Sequence, residues 1–228
     1  MTTIYTVNNK VLKNSVTDKW LIKVPVDPYN PLGLPANTIR VRTSGGQPNG
    51  GIYASATLVP DTTNVYDVYK SGTSFNNLLS RATNIIEILG ANTTGITDMQ
   101  QILSGCTSLT SVPLFDTSSV TNMRQILNGC TSLTSVSLFD TSSVTNMERA
   151  FYGCSALTSI PLFDTSSVTN MDYTFMNCSK VESGALALYN QASTQTTPPS
   201  YHSRTFRNCG SNTTTGAAEL EQIPSGWK

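Results

Sequence analysis

Charge is scarce in this chain: 12% of its 228 residues are charged, 14 basic against 14 acidic, and histidine occurs once, at His202. Lys and Arg form no cluster of the kind that grips a phosphate backbone, so no nucleic-acid partner is expected. No apolar run approaches the roughly 20 residues that span a bilayer, so no membrane insertion is expected either. Five cysteines are present without a C-x₂-C pair, which removes the usual spacing of a thiolate metal site. One histidine and no Gly-rich phosphate loop leave catalysis little to work with, and a non-enzyme without a cofactor is expected. The opening MTTIYTVNNKVLKNSV lacks the basic-then-apolar pattern of a secretory signal. With its initiating Met it points to a chain kept, or assembled, in the cytoplasm.

Repetition is what the chain has instead. FDTSSVTNM occurs unchanged at 115–123, 139–147 and 163–171, a spacing of 24. Aligned on it are TDMQQILSGCTSLTSVPLFDTSSV (97–120), TNMRQILNGCTSLTSVSLFDTSSV (121–144) and TNMERAFYGCSALTSIPLFDTSSV (145–168). The first two agree at 20 of 24 positions and the second and third at 15. A further unit begins at 169 and diverges after Val181. Upstream, 75–96 fits the register with Phe75 at the Met position and Ala82 at the Cys position. Downstream, RTFRNC (204–209) matches DYTFMNC (172–178), 31 residues on. Degraded outer units are what the caps of a stacked array look like.

Each unit carries L-x-x-V-x-L, as in Leu109, Val112 and Leu114, whose alternation predicts a short strand. The Asp-Thr-Ser-Ser that follows predicts a turn. Thr-Asn then predicts a short helix, with Thr145 paired to Glu148 and Thr97 to Gln100 as N-cap boxes. The expected fold is an α/β leucine-rich-repeat solenoid of 24-residue repeats, one short strand and one short helix per coil. It divides into a β-rich N-terminal attachment or capping region (1–70), the solenoid (71–209) and a C-terminal cap (210–228).

The pattern C-x-x-L-x-x-V-x-L-F-D-T-S-S-V-T-N-M-x-x-x-F-x-x-C resembles the BspA-type leucine-rich repeat of bacterial surface proteins, over about 73–209. The charge-rich and Leu-Ser elements usual before FDTS in that family are missing here. ANTTGITDM, ALALYNQASTQTTPPS and the ending AELEQIPSGWK also resemble proteins encoded by phages of gut bacteria. BspA-type proteins are linked to adhesion and host binding, so the resemblance implies a binding module.

Candidate residues fall in columns. Asp116, Asp140 and Asp164 should stand about 5 Å apart and could hold calcium through carboxylate oxygens. With no Gly-spaced calcium loop beside them, closing their own D-T-S turns is the stronger reading. Cys106, Cys130, Cys154, Cys178 and Cys209 are expected as a structural core ladder of buried free thiols. His202 lies seven residues before Cys209, but that cysteine belongs to the core column, which argues against a Cys–His nucleophile. Thr110/Ser111, Thr134/Ser135 and Thr158/Ser159 form a flat hydroxyl array that either binds glycan or is solvated. The units disagree at Gln100, Gln101 and Ser104; at Arg124, Gln125 and Asn128; at Glu148, Arg149 and Tyr152; and at Asp172, Tyr173 and Met176. Among these, Arg124, Gln125, Glu148, Arg149, Tyr152, Asp172, Tyr173 and Met176 form the candidate interaction surface, since aromatics and Arg anchor interfaces.

Before the repeats, IYTV, KWLIKVPV, TIRVRTS, IYASATLVP and VYDVYK read as strands separated by turn-rich segments, with Trp20 as part of their core. The expected function is a non-enzymatic virion or bacterial-surface component that recognises a receptor, a glycan or neighbouring virion subunits. Homo-oligomers would form through the N-terminal region. The alternative is a purely structural decoration or spacer protein, and the alternative location is a bacterial surface or cytoplasm.

Overall fold

A computed structural model describes residues 5–7, 10–12 and 27–228. Trp20 and the KWLIKVPV strand lie outside the described residues. Strands β1 (Tyr5–Val7) and β2 (Lys10–Leu12) pair antiparallel. The main sheet joins β3 (Thr38–Thr43), β4 (Ser55–Leu58), β5 (Val65–Tyr69) and β6 (Ile85–Asn92) in the order β4-β5-β3-β6, all antiparallel. Opposite charges face each other across β3 and β5, where Arg40 grips Asp67 through two bonds of 2.6 and 2.7 Å. β6 belongs to the first repeat unit, so the sheet crosses the expected boundary at residue 70.

The expected α/β solenoid is not the fold. Regular structure is sparse and lies mostly in small antiparallel sheets. Among the described residues the α-helices are α1 (Ala185–Thr194) and α2 (Thr214–Gln222), followed by a 3₁₀ turn at Ser225–Trp227. No unit between 97 and 168 contains a helix, and their strands shrink to β7 (Ser111–Val112) and β8 (Ser135–Val136).

The backbone explains why the predicted helices do not form. Gln101, Gln125, Arg149 and Tyr173 are left-handed, with φ of 56, 56, 53 and 60°. Four residues on, Gly105, Gly129, Gly153 and Asn177 are left-handed again. An α-helix tolerates neither interruption. Alternate amides turn back within the unit, as Ile102 N–H does to the Met99 carbonyl at 3.3 Å. The others donate to the next unit. Met99, Gln101, Leu103 and Gly105 N–H bond the carbonyls of Asn122, Arg124, Ile126 and Asn128 at 2.7–3.0 Å, and the pattern repeats at every step. Isolated parallel bridges link Ser74, Asp98, Asn122, Asn146, Asn170 and Tyr201 in one file. A helix would close these amides inside one unit and remove four hydrogen bonds from each step to its neighbour.

The expected Thr caps are also reassigned. Thr145 Oγ1 donates to the Thr121 carbonyl of the preceding unit at 3.1 Å, while Asn146 Oδ1 accepts the Glu148 amide at 2.9 Å. Asp98 does the same for Gln100 at 3.0 Å, whereas Thr97 Oγ1 reaches back to the Thr73 carbonyl. The second Leu of L-x-x-V-x-L is not core: Leu138 and Leu162 are 57% and 55% exposed.

Side chains stack in files through one continuous core. Phe115, Phe139, Phe163, Phe151, Phe175 and Phe206 form an aromatic run with centroid spacings of 5.0–6.4 Å, ending on Trp227. Ile126–Leu127 gives way to Ala150–Phe151 and then Thr174–Phe175, so one file shrinks where its neighbour grows, and density is kept. Thr117 and Thr141, drawn from the sequence as turn residues, are buried and donate to the Asp140 and Asp164 carbonyls of the next unit, both at 2.8 Å.

Both ends are closed. Gly50 and Gly51 lie so near the backbone of Leu78–Ala82 that a Cβ at Gly51 would come within 2.1 Å of the Leu78 carbonyl. At the far end α1 replaces the strand. Gln191 of α1 and Gln195 just past its end take up the Phe163 carbonyl and the Thr165 hydroxyl and carbonyl. From α2, Glu219 accepts the Leu186 amide of the first turn of α1 at 3.1 Å, and Trp227 covers the last unit. The first five residues of NQASTQTTPPSYHS (190–203) thus belong to α1.

Phe151→Ala is expected to cost about 3–5 kcal/mol in chemical denaturation. Leu162→Ala, on the exposed file, is expected to stay within about 0.5 kcal/mol of the parent. A large loss at Leu162 would contradict its outward placement.

Candidate functional site

The variable residues are sorted into three parallel columns by the turn geometry. Gln101, Gln125, Arg149, Tyr173 and Arg204 occupy the left-handed positions, the last with φ 55°. Ser104, Asn128, Tyr152 and Met176 stand three residues further along each unit, and Gln100, Arg124, Glu148 and Asp172 one residue before. Between the first two columns lies an open groove of about 470 Å³ lined by Gln125, Asn128, Arg149, Tyr152, Tyr173, Met176 and Arg204. Five of the eight predicted interaction residues meet there.

The other three do not line it. Arg124 Nε pairs with Glu148 Oε2 at 3.0 Å, Glu148 Oε1 takes the Arg149 guanidinium at 3.1 Å, and Asp172 Oδ1 accepts the Ser203 amide at 2.6 Å. The groove is thus lined by two guanidiniums and no carboxylate. Arg149 lies over the Tyr173 ring at 4.9 Å and Arg204 at 5.8 Å, a cation–π stack running along the column. Arg204 escaped the sequence reading because a 31-residue step separates it from Tyr173. The match of RTFRNC to DYTFMNC carried the signal.

The Asp column closes turns. Asp116 and Asp140 each accept the amide and hydroxyl of the serine two residues on, at 3.2 and 2.7 Å and at 3.1 and 2.6 Å; Asp164 accepts the Ser166 amide at 2.8 Å. The Ser142 hydroxyl and amide hold the Asp140 carboxyl below its ordinary range. Among the described residues no group of three or more His, Cys, Asp or Glu comes together to hold a metal.

All five cysteines are free and buried. Cys106, Cys130, Cys154 and Cys178 each point the thiol at a carbonyl of the preceding unit, 3.0–3.2 Å away. Burial pushes the Cys106 and Cys154 thiols from 9.0 up to about 12, and the others up as well. His202 occupies the Met position of the last unit and stacks on Trp227 at 4.3 Å, its Nδ1 buried without a partner. In the hydroxyl array, Thr134 and Thr158 donate to the carbonyls of Thr110 and Thr134, at 3.1 and 3.2 Å.

Residues 73–189 match the family described as Mycoplasma protein of unknown function, DUF285. That is slightly more than half of the chain. The chain belongs to the DUF285 family. The family is associated with BspA-like surface repeat proteins. No curated protein and no solved structure matches. The matched DUF285 span holds every groove residue except Arg204, which the capping unit supplies.

The DUF285 thiols are expected to resist a disulfide reagent at pH 8 in the native chain and to react, all five, once it is unfolded. The raised folded values also set a sign. The stabilisation is complete below pH 9.0 and is lost as pH rises toward about 12, because the unfolded thiols ionise first. Denaturation midpoints that fall across that window check this. Chelator is expected to leave the melting temperature unchanged, and a drop would restore the calcium reading of Asp116, Asp140 and Asp164.

Proposed function

We propose that this protein is a non-enzymatic binding module, a virion or bacterial-surface component that engages a receptor or glycan through the groove beside the left-handed column. The observation carrying this reading is an internal contrast. Two columns share left-handed geometry, and the first unit has Asn77 in the groove column and Arg81 in the other. From the second unit on, that other column is filled only with Gly or Asn, at Gly105, Gly129, Gly153, Asn177 and Asn208. The groove column holds Gln, Arg, Tyr and Arg there, at a backbone cost of about 1–2 kcal/mol per residue. Side chains kept against such a cost, and gathered around one opening, suit recognition. The association of DUF285 with BspA-like surface proteins supports a surface role, and the likeness to gut-phage proteins supports a virion setting.

A purely structural spacer is the second reading, favoured by the closed ends and the continuous hydrogen-bonded stack. The two differ in what groove variants do. Combined Tyr152→Ala, Tyr173→Ala and Met176→Ala is expected to lower binding to target cells by about tenfold or more while the melting temperature holds within a few degrees. Unchanged binding alongside firm incorporation into purified particles would favour the spacer.

A further inference from the structure

We infer that the groove takes a carboxylate-bearing sugar. The inference rests on the binding reading above and names its ligand class. Charge comes first. Residues 97–209 hold five basic and seven acidic residues, yet the groove faces solvent with Arg149 and Arg204 and no carboxylate. Glu148 does not line the groove but is shared between Arg124 and Arg149, so the Arg149 charge is partly met and Arg204 carries most of the free positive charge. Arg204 has no ion-pair partner among the described residues, so its guanidinium fork is free for a carboxylate.

The remaining wall suits a sugar ring. Tyr152 and Met176 present apolar surface on one side, and the Tyr173 face is held by the two guanidiniums. Gln125 and Asn128 supply amide donors and acceptors for hydroxyls. The volume of about 470 Å³ falls within the roughly 300–1,000 Å³ of small-ligand clefts.

A peptide is disfavoured by the backbone. The amides of Gln125, Arg149 and Tyr173 bond the next unit, and those of Asn128, Tyr152 and Met176 bond their own turns. No strand edge is left along the groove for main-chain pairing.

The test titrates the full chain with sialyllactose, with a galacturonic acid trimer, and with lactose as the neutral control. At least one acidic sugar is expected to bind about tenfold or more tightly than lactose, with an advantage that shrinks as salt is raised. Arg204→Met is expected to remove about tenfold of that binding with the melting temperature unchanged, and Arg204→Lys to restore part of it. Arg149→Met provides a second variant at the same groove. Preference for the sialylated sugar points to host glycans and for the uronate to a bacterial capsule, and either supports the inference. Equal binding of acidic and neutral sugars, no binding of either, or equal capture of an acidic peptide overturns it. If the groove variants still abolish cell binding in that case, only the ligand class is wrong. If they leave cell binding intact, the binding reading falls with it.

Discussion

Four of the ten amides in the TNMxxxFxxC segment donate to the following unit, and the rest of the molecule is arranged around that. Each step between units is held by four such bonds, at Met123, Gln125, Leu127 and Gly129 for example, spaced alternately along the segment. A hydrogen bond of this kind contributes about 0.5–1.5 kcal/mol net. Four of them, with a Met, a Phe or Leu and a Cys buried beside them, outweigh two left-handed residues per unit. A helix would have satisfied the same amides locally and surrendered the step.

The strict sameness of FDTSSVTNM follows from this. Phe and Met fill files of the core, Thr117 and its equivalents tie one unit to the next, and Asn starts each turn by accepting an amide. A change at one core position must be matched at the position packed beside it, as the Ile-to-Ala and Leu-to-Phe exchange at 150 and 151 shows. Freedom survives where side chains leave the stack. The left-handed positions are such places, and it is there that Gln, Arg and Tyr accumulate and the groove opens.

The ends show the same constraint in reverse, since a stack with open carbonyls would invite another chain. Gly50 and Gly51 press against the first unit where no side chain fits, and Gln191 of α1 and Gln195 just after it take over carbonyl and hydroxyl partners at the last. His202 and Trp227 continue the Met and Phe files in a different chemistry, so the core ends on flat rings.

Much of this was legible in the residues alone. The 24-residue period, the Cys file, the core positions of Phe and Val, and the columns in which Arg149, Tyr152, Tyr173 and Met176 recur all follow from self-alignment, because stacking repeats the same contact at the same offset. The backbone conformation between them was not legible. Met147, Phe151 and Cys154 have helix-like spacing whether the chain coils or turns, since both bring residues three and four apart to one side. Only the neighbouring unit, by accepting the alternate amides, decides for turns. The same decision separates the three columns, leaves Glu148 out of the groove lining, and places Arg204 beside Tyr173 across an insertion that the sequence spacing conceals.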